Sequence, residues 1–163
     1  MDQRASGMEL QTSALHKQYL LVIASAVSLA ANTIGTILAL EHNLTADFGG
    51  FLNGQNVIRD FLGFNGTALS APFPFLLIQL ALTVFTLRSG RWRAIGVKGL
   101  TLMGALYTVA QLGEPIVWRL MQPGGFDLAQ AIVLLFALVS STAMFVLGVR
   151  SWRELQTSSP ISG

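Results

Sequence analysis

The sequence predicts an all-α integral membrane protein: a four-transmembrane-helix bundle with an amphipathic surface helix in the first extracytoplasmic loop. Three observations predict it. Only 11% of the 163 residues are charged while 52% are hydrophobic, whereas a soluble domain carries roughly 25% charged residues. The apolar residues come in long uncharged blocks, which is the pattern of membrane spans and not of a globular core. The basic residues fall on alternate sides of those blocks, as the positive-inside rule requires.

The chain reads as a single membrane domain, 1–163. Residues 1–17 are polar and mixed, which suits a short cytoplasmic tail better than a signal peptide. The first span covers 18–40, with no charge between Lys17 and Glu41. The second covers 70–87 and is opened by Pro72 and Pro74, since proline is tolerated where helical N–H groups lack partners. The fourth covers 128–149, with Asp127 placed to cap its start and Trp152 beside Arg150 and Arg153 at the interface.

The third span is the informative one. Lys98 and Glu114 bracket 15 uncharged residues, or roughly 22 Å of helix, too little to cross. The helix must run past a charge, so the span is predicted at 94–118. Lys98 can snorkel to the headgroups; the shorter Glu114 reaches less far.

Orientation follows from the Lys and Arg residues. Arg4, Lys17, Arg88, Arg91, Arg93, Lys98, Arg150 and Arg153 share one side, and Arg59 and Arg119 lie on the other. Both termini are therefore expected in the cytoplasm. Arg outnumbers Lys, and Ala, Leu and Gly are abundant, which suggests a bacterial protein of the plasma (inner) membrane. The loop 41–69 is too long for a simple turn. Phe48, Phe51, Leu52, Ile58, Phe61 and Leu62 fall on one side of a helical wheel, with Asn53, Asn56, Arg59 and Asp60 opposite. This predicts an interfacial helix over 48–62, with Asp47 as a possible N-cap and Gly63 closing it.

Much chemistry is excluded. With no cysteine, disulfides, thiolate catalysis and cysteine-held metals are ruled out. His16 and His42 lie on opposite sides of the first span and cannot share a metal or haem. No basic run points to nucleic acid. Glu41, His42, Asp47 and Asp60 in the first loop match no metal motif and read as solvated loop residues. No metal or cofactor is expected.

Two features remain. Small and polar stripes (Ser25, Ser28, Asn32 and Thr36; Gln79 and Thr83; Ala137, Ser141 and Gly148) read as helix packing, or as the wall of a polar cavity. Tyr107, Gln111, Glu114 and Trp118 recur at helical spacing on the third span. Pro115 removes one helical N–H and crowds the Gln111 carbonyl. Glu114 at membrane depth is either a functional group needing a partner, with Arg59 or Arg119 the candidates, or a helix end in the headgroups paired with Arg119.

In layout, four spans with a longer segment after the first, the chain is similar to DoxX-like small membrane proteins. That likeness is of arrangement and carries no residue or activity. The function expected is non-catalytic: an accessory subunit, or a bundle binding lipid or another small apolar molecule. The partners are the bilayer and a membrane protein or a second copy. The alternative is a small transporter or lipid-active enzyme using Glu114.

Overall fold

The computed structural model describes residues 2–47, 54–120, 122–124 and 127–157, with side chains described between 16 and 156. It is helical, with α1 (Asp2–Glu41), α2 (Val57–Leu62), α3 (Phe73–Thr86), α4 (Arg91–Gly113), α5 (Pro115–Leu120) and α6 (Leu128–Thr157). Among the described residues the only β pairing is two isolated bridges, Thr45 with Thr67 and Thr67 with Ser70.

Three helices are long and apolar enough to cross a membrane: His16–Glu41 within α1, α4, and Leu128–Gln156 within α6. The helix predicted over 70–87 is shorter. α3 has 14 residues, or roughly 21 Å. Pro72 caps its start and Pro74 lies in its first turn, where the missing N–H costs no helical bond.

α1, α6, α4 and α3 pack in that order, and α3 closes the ring against α1. Neighbours run antiparallel. Lys17, near the start of the apolar stretch of α1, pairs with Glu154 near the end of α6. We call this the terminal end and the other the loop end. At the terminal end the Lys98 Nζ also sits 5.4 Å from the centre of the Trp152 ring. Leu21, Leu100 and Met144 are fully buried at the centre of the core.

Small residues set the helix spacing. A Cβ at Gly104 would lie 2.6 Å from the Phe145 amide nitrogen, so glycine there lets α4 approach the backbone of α6. The predicted polar stripes point inward. Ser25, Ser28, Asn32, Gln79, Thr83 and Ser141 are all buried. The Ser25 and Thr83 hydroxyls bond across the α1–α3 contact at 2.7 Å. Gln79 donates to the Ser25 carbonyl at 3.1 Å.

The chain between α2 and α3 is the least expected part. Residues 66–70 are buried yet not helical. They lie against α1 at Asn32, Gly35 and Thr36. A Cβ at Gly35 would collide with the Leu69 carbonyl. Asn32 is nine residues before Glu41, so the segment reaches roughly 13 Å down α1 from its last residue.

A buried backbone must place each polar group, and this one does. The N–H of Gly66 donates to the Asp60 carbonyl, Thr67 to Ser70, Ala68 to Leu44 and Ser70 to Thr67. The Leu69 N–H donates to the Thr67 hydroxyl at 3.3 Å. The Ala71 N–H donates to Asn32 Oδ1 at 2.8 Å, and Pro72 has no N–H to place. No peptide N–H from Gly66 to Ala71 depends on solvent.

The helix predicted over 48–62 is found only as α2. Residues 48–53 lie outside the described residues, and 54–56 are not helical. Asn56, not Asp47, is the N-cap; its Oδ1 accepts the Arg59 N–H at 3.0 Å. Gly63 does close the helix. The buried face is Val57 and Asp60, while Ile58 and Leu62 are exposed. Asp60 faces inward because the loop satisfies its carboxylate. Oδ2 accepts the Asn56 N–H at 3.1 Å, and Oδ1 accepts from the Asn65 amide at 3.3 Å.

Candidate functional site

α4 does not continue to Trp118 as predicted. It ends at Gly113, and Glu114 is extended at φ −75°, ψ 129°. Pro115 is the cause, since it disfavours helical geometry at the residue before it. A new short helix, α5, then starts at Pro115. The break separates the predicted stripe. Tyr107 and Gln111 stay on the inner face of α4 and Glu114 follows them, while Trp118 turns outward. Its ring N–H donates to the Leu112 carbonyl at 3.1 Å, and the side chain is exposed.

Tyr107, Gln111 and Glu114 line one cavity of about 380 Å³ at the loop end. Its opposite wall is the buried segment Thr67–Pro72, and its floor includes Asn32 and Phe75. Leu106, Val109, Ala110 and Phe64 form the mouth. Val109 and Phe64 are 64% and 77% exposed, so the opening faces sideways and is apolar. Trp118, Arg119 and Arg59 do not line it. The two arginines are exposed elsewhere, on α5 and α2.

Most polar groups in the cavity are matched, and two are not. The Tyr107 hydroxyl and Gln111 Oε1 are buried without a hydrogen-bond partner among the described residues. Tyr107 is only 5% exposed. Leaving a buried polar group unpaired costs about 1–3 kcal/mol, so two in one cavity are unusual for a purely structural wall. Glu114 Oε2 accepts the Asp47 N–H at 3.3 Å. Ser70 is already engaged: its hydroxyl donates to the Ala71 carbonyl at 3.0 Å and meets the Thr36 hydroxyl at 2.8 Å.

Glu114 lies just beyond the end of the apolar helix. Burial pushes its carboxyl up to about 7; the Asp47 N–H opposes this, and the Asp47 charge adds to it. The direction fixes a sign. A carboxyl whose folded pKa exceeds its unfolded one stabilises the fold while protonated. That contribution is complete below the ordinary 4.5 and is lost as pH rises through about 7. The empty protein is therefore expected to lose stability between roughly pH 4.5 and 7. The melting temperature should fall by roughly 2–4 °C, the response of a chain this size to about 1 kcal/mol, because a partly exposed carboxyl keeps some water. Glu114→Gln should flatten that part of the profile. A wild-type profile that is already flat, measured by thermal unfolding in neutral bicelles, rejects the assignment.

No group of three or more His, Asp and Glu side chains able to hold a metal comes together among the described residues. Sequence reasoning found one wall of the cavity and missed the other. The Asn32 stripe was visible, but nothing local showed that Ala71 would descend to meet it. All-helical among the described residues, with three helices long and apolar enough to cross a membrane and a sideways-opening cavity at one end, the chain has the make-up that suggests a membrane-embedded helical protein. No family model, curated protein or solved structure matches it.

Proposed function

We propose that the protein is a four-span, non-catalytic membrane protein that binds a small, mainly apolar molecule in the cavity between α4 and the Thr67–Pro72 segment. The observation that carries this reading is the pair of unpartnered buried groups, Tyr107 hydroxyl and Gln111 Oε1, in a cavity whose remaining lining is mostly apolar. Binding sites of small molecules have this make-up: apolar walls and a few convergent polar groups.

Several features support α3 as a fourth span. Irregular backbone at membrane depth is tolerated only where it is buried in protein or lines a cavity, and the satisfied segment Gly66–Pro72 does both. Short, proline-interrupted hydrophobic segments also accompany binding sites in membrane transporters. Lys17, the α3–α4 turn with Arg88 and Arg91, and Arg150 with Arg153 gather at the terminal end. In this reading that end is cytoplasmic, and the cavity opens into the outer leaflet of a bacterial plasma membrane. Ile58 and Leu62 of α2, both exposed, would rest on that leaflet.

A small transporter or lipid-active enzyme using Glu114 is the second reading, favoured by the partly buried carboxylate. It ranks below because among the described residues no Lys, Arg, His or second carboxylate lines the cavity with Glu114. Native mass spectrometry of protein extracted in lipid nanodiscs tests the first reading. A small molecule retained in about one-to-one ratio is expected. A bare chain across independent preparations would contradict it.

A further inference from the structure

The cavity also has a charge character, and it is one-sided. Of the described residues lining it, only Glu114 is an acid or base that can charge near neutral pH, and none is lysine, arginine or histidine. The residues outside the description between 48 and 126 contain no Lys, Arg or His. Among the described residues no cation lines the cavity beside Glu114. Its one hydrogen bond recorded among the described residues is the Asp47 N–H. Gln111 Oε1 is an acceptor without a donor, and the Tyr107 hydroxyl can accept as well. A partly buried carboxylate needs a compensating charge, and unmatched acceptors need N–H or O–H donors.

Resting on the binding reading above, we infer that the ligand is a small lipophilic amine, its ammonium head placed against Glu114 and Gln111 and its apolar tail toward Leu106 and Phe75. An ammonium has three donors and no acceptor, which matches this set. A tethered anion such as a lipid phosphate would face Glu114 with no cation to receive it, so an aminophospholipid fits less well than a free amine. The sideways mouth at Val109 and Phe64 suits a ligand that partitions into the bilayer first.

Three probes with one skeleton test this: 4-phenylbutylamine, 4-phenylbutan-1-ol and 4-phenylbutyrate. Each is titrated at pH 8 into the full chain in phosphatidylcholine nanodiscs, with empty nanodiscs subtracted. The amine is expected to bind about tenfold tighter than the alcohol, since a charge-assisted hydrogen bond is roughly twice as strong as a neutral one. The carboxylate is expected to bind weakest. Glu114→Gln should abolish the preference, bringing amine and alcohol to within about twofold of each other. Alcohol binding as tight as amine binding in the wild type overturns the inference while the cavity reading stands. So does an amine preference that survives Glu114→Gln. Binding of none of the three removes the cavity reading and the inference together. The wild-type ranking decides the matter even if the variant does not fold.

Discussion

Replacing Asn32 by leucine is expected to destabilise the protein by roughly 3 kcal/mol, at the top of the range for leaving a buried polar group unpaired. Asn32 is 1% exposed. Its Nδ2 donates to the Ser28 carbonyl and its Oδ1 accepts from Ala71, both at 2.8 Å. The Ser28 bond is expendable, because that carbonyl belongs to the α1 helix. The Ala71 bond is not. Every peptide N–H from Gly66 to Ser70 already has its own partner, and Pro72 prevents α3 from extending back to take Ala71 in. Two effects oppose the loss. Leucine gains from apolar surroundings, and polar contacts between membrane helices average only about 0.6 kcal/mol. That average describes groups that find other partners when one is removed, and Ala71 has no other. Thr33 provides the control: its hydroxyl bonds only back to the Leu29 carbonyl on an exposed face, so Thr33→Val should change stability by less than about 0.5 kcal/mol. Unfolding in bicelles compares the two, and equal losses would show that Asn32 is not the anchor. The predicted loss also reaches the ligand, because a segment released from Asn32 takes one wall of the cavity with it.

The same residue shows where the sequence was legible. Helix positions were readable because uncharged blocks and basic clusters are local patterns, and α1, α4 and α6 contain those blocks, although α1 begins already at Asp2, α4 stops at Gly113 and α6 runs on to Thr157. Asp127 was readable as a cap, and its Oδ1 does accept the Gln130 N–H at 3.0 Å. Tyr107, Gln111 and Glu114 were readable as neighbours because helical spacing alone brings the first two together. Trp118 shares that spacing only in a helix that runs through Pro115, and the proline breaks the helix there. Arg59 and Arg119 were chosen as partners because a buried carboxylate asks for one, and the fold leaves both arginines exposed. The wall formed by Thr67–Pro72 was not readable at all. Its position depends on contacts with Asn32, Gly35 and Thr36, which lie about 35 residues earlier, and no periodicity records a contact of that kind. Asp60 was misplaced for a related reason. A carboxylate is expected to face water unless its partners are known, and here the partners are a loop amide and Asn65.

Ala110→Trp is expected to weaken ligand binding at least tenfold, or about 1.4 kcal/mol, and to leave the fold intact. Ala110 is on α4 at the mouth of the cavity and is exposed, so an indole there has room outward and does not overpack the core. The same ring can turn inward and occupy the space between Leu106 and the Thr67–Pro72 wall. Two effects compete. Added aromatic surface at the mouth would grip an apolar ligand more firmly, whereas lost volume would exclude it. Volume should decide, since a cavity of about 380 Å³ is at the small end of ligand sites and can spare little. Leu102→Trp makes a matched control on the same helix, at a position that is 61% exposed and does not line the cavity. Its binding should equal that of the wild type, which removes general effects of a new tryptophan in the bilayer. Titration of the bound molecule into both variants in nanodiscs reads the result. If Ala110→Trp binds as well as Leu102→Trp, the ligand sits elsewhere. The unpaired Tyr107 and Gln111 would then be a cost the fold carries for some reason other than this cavity.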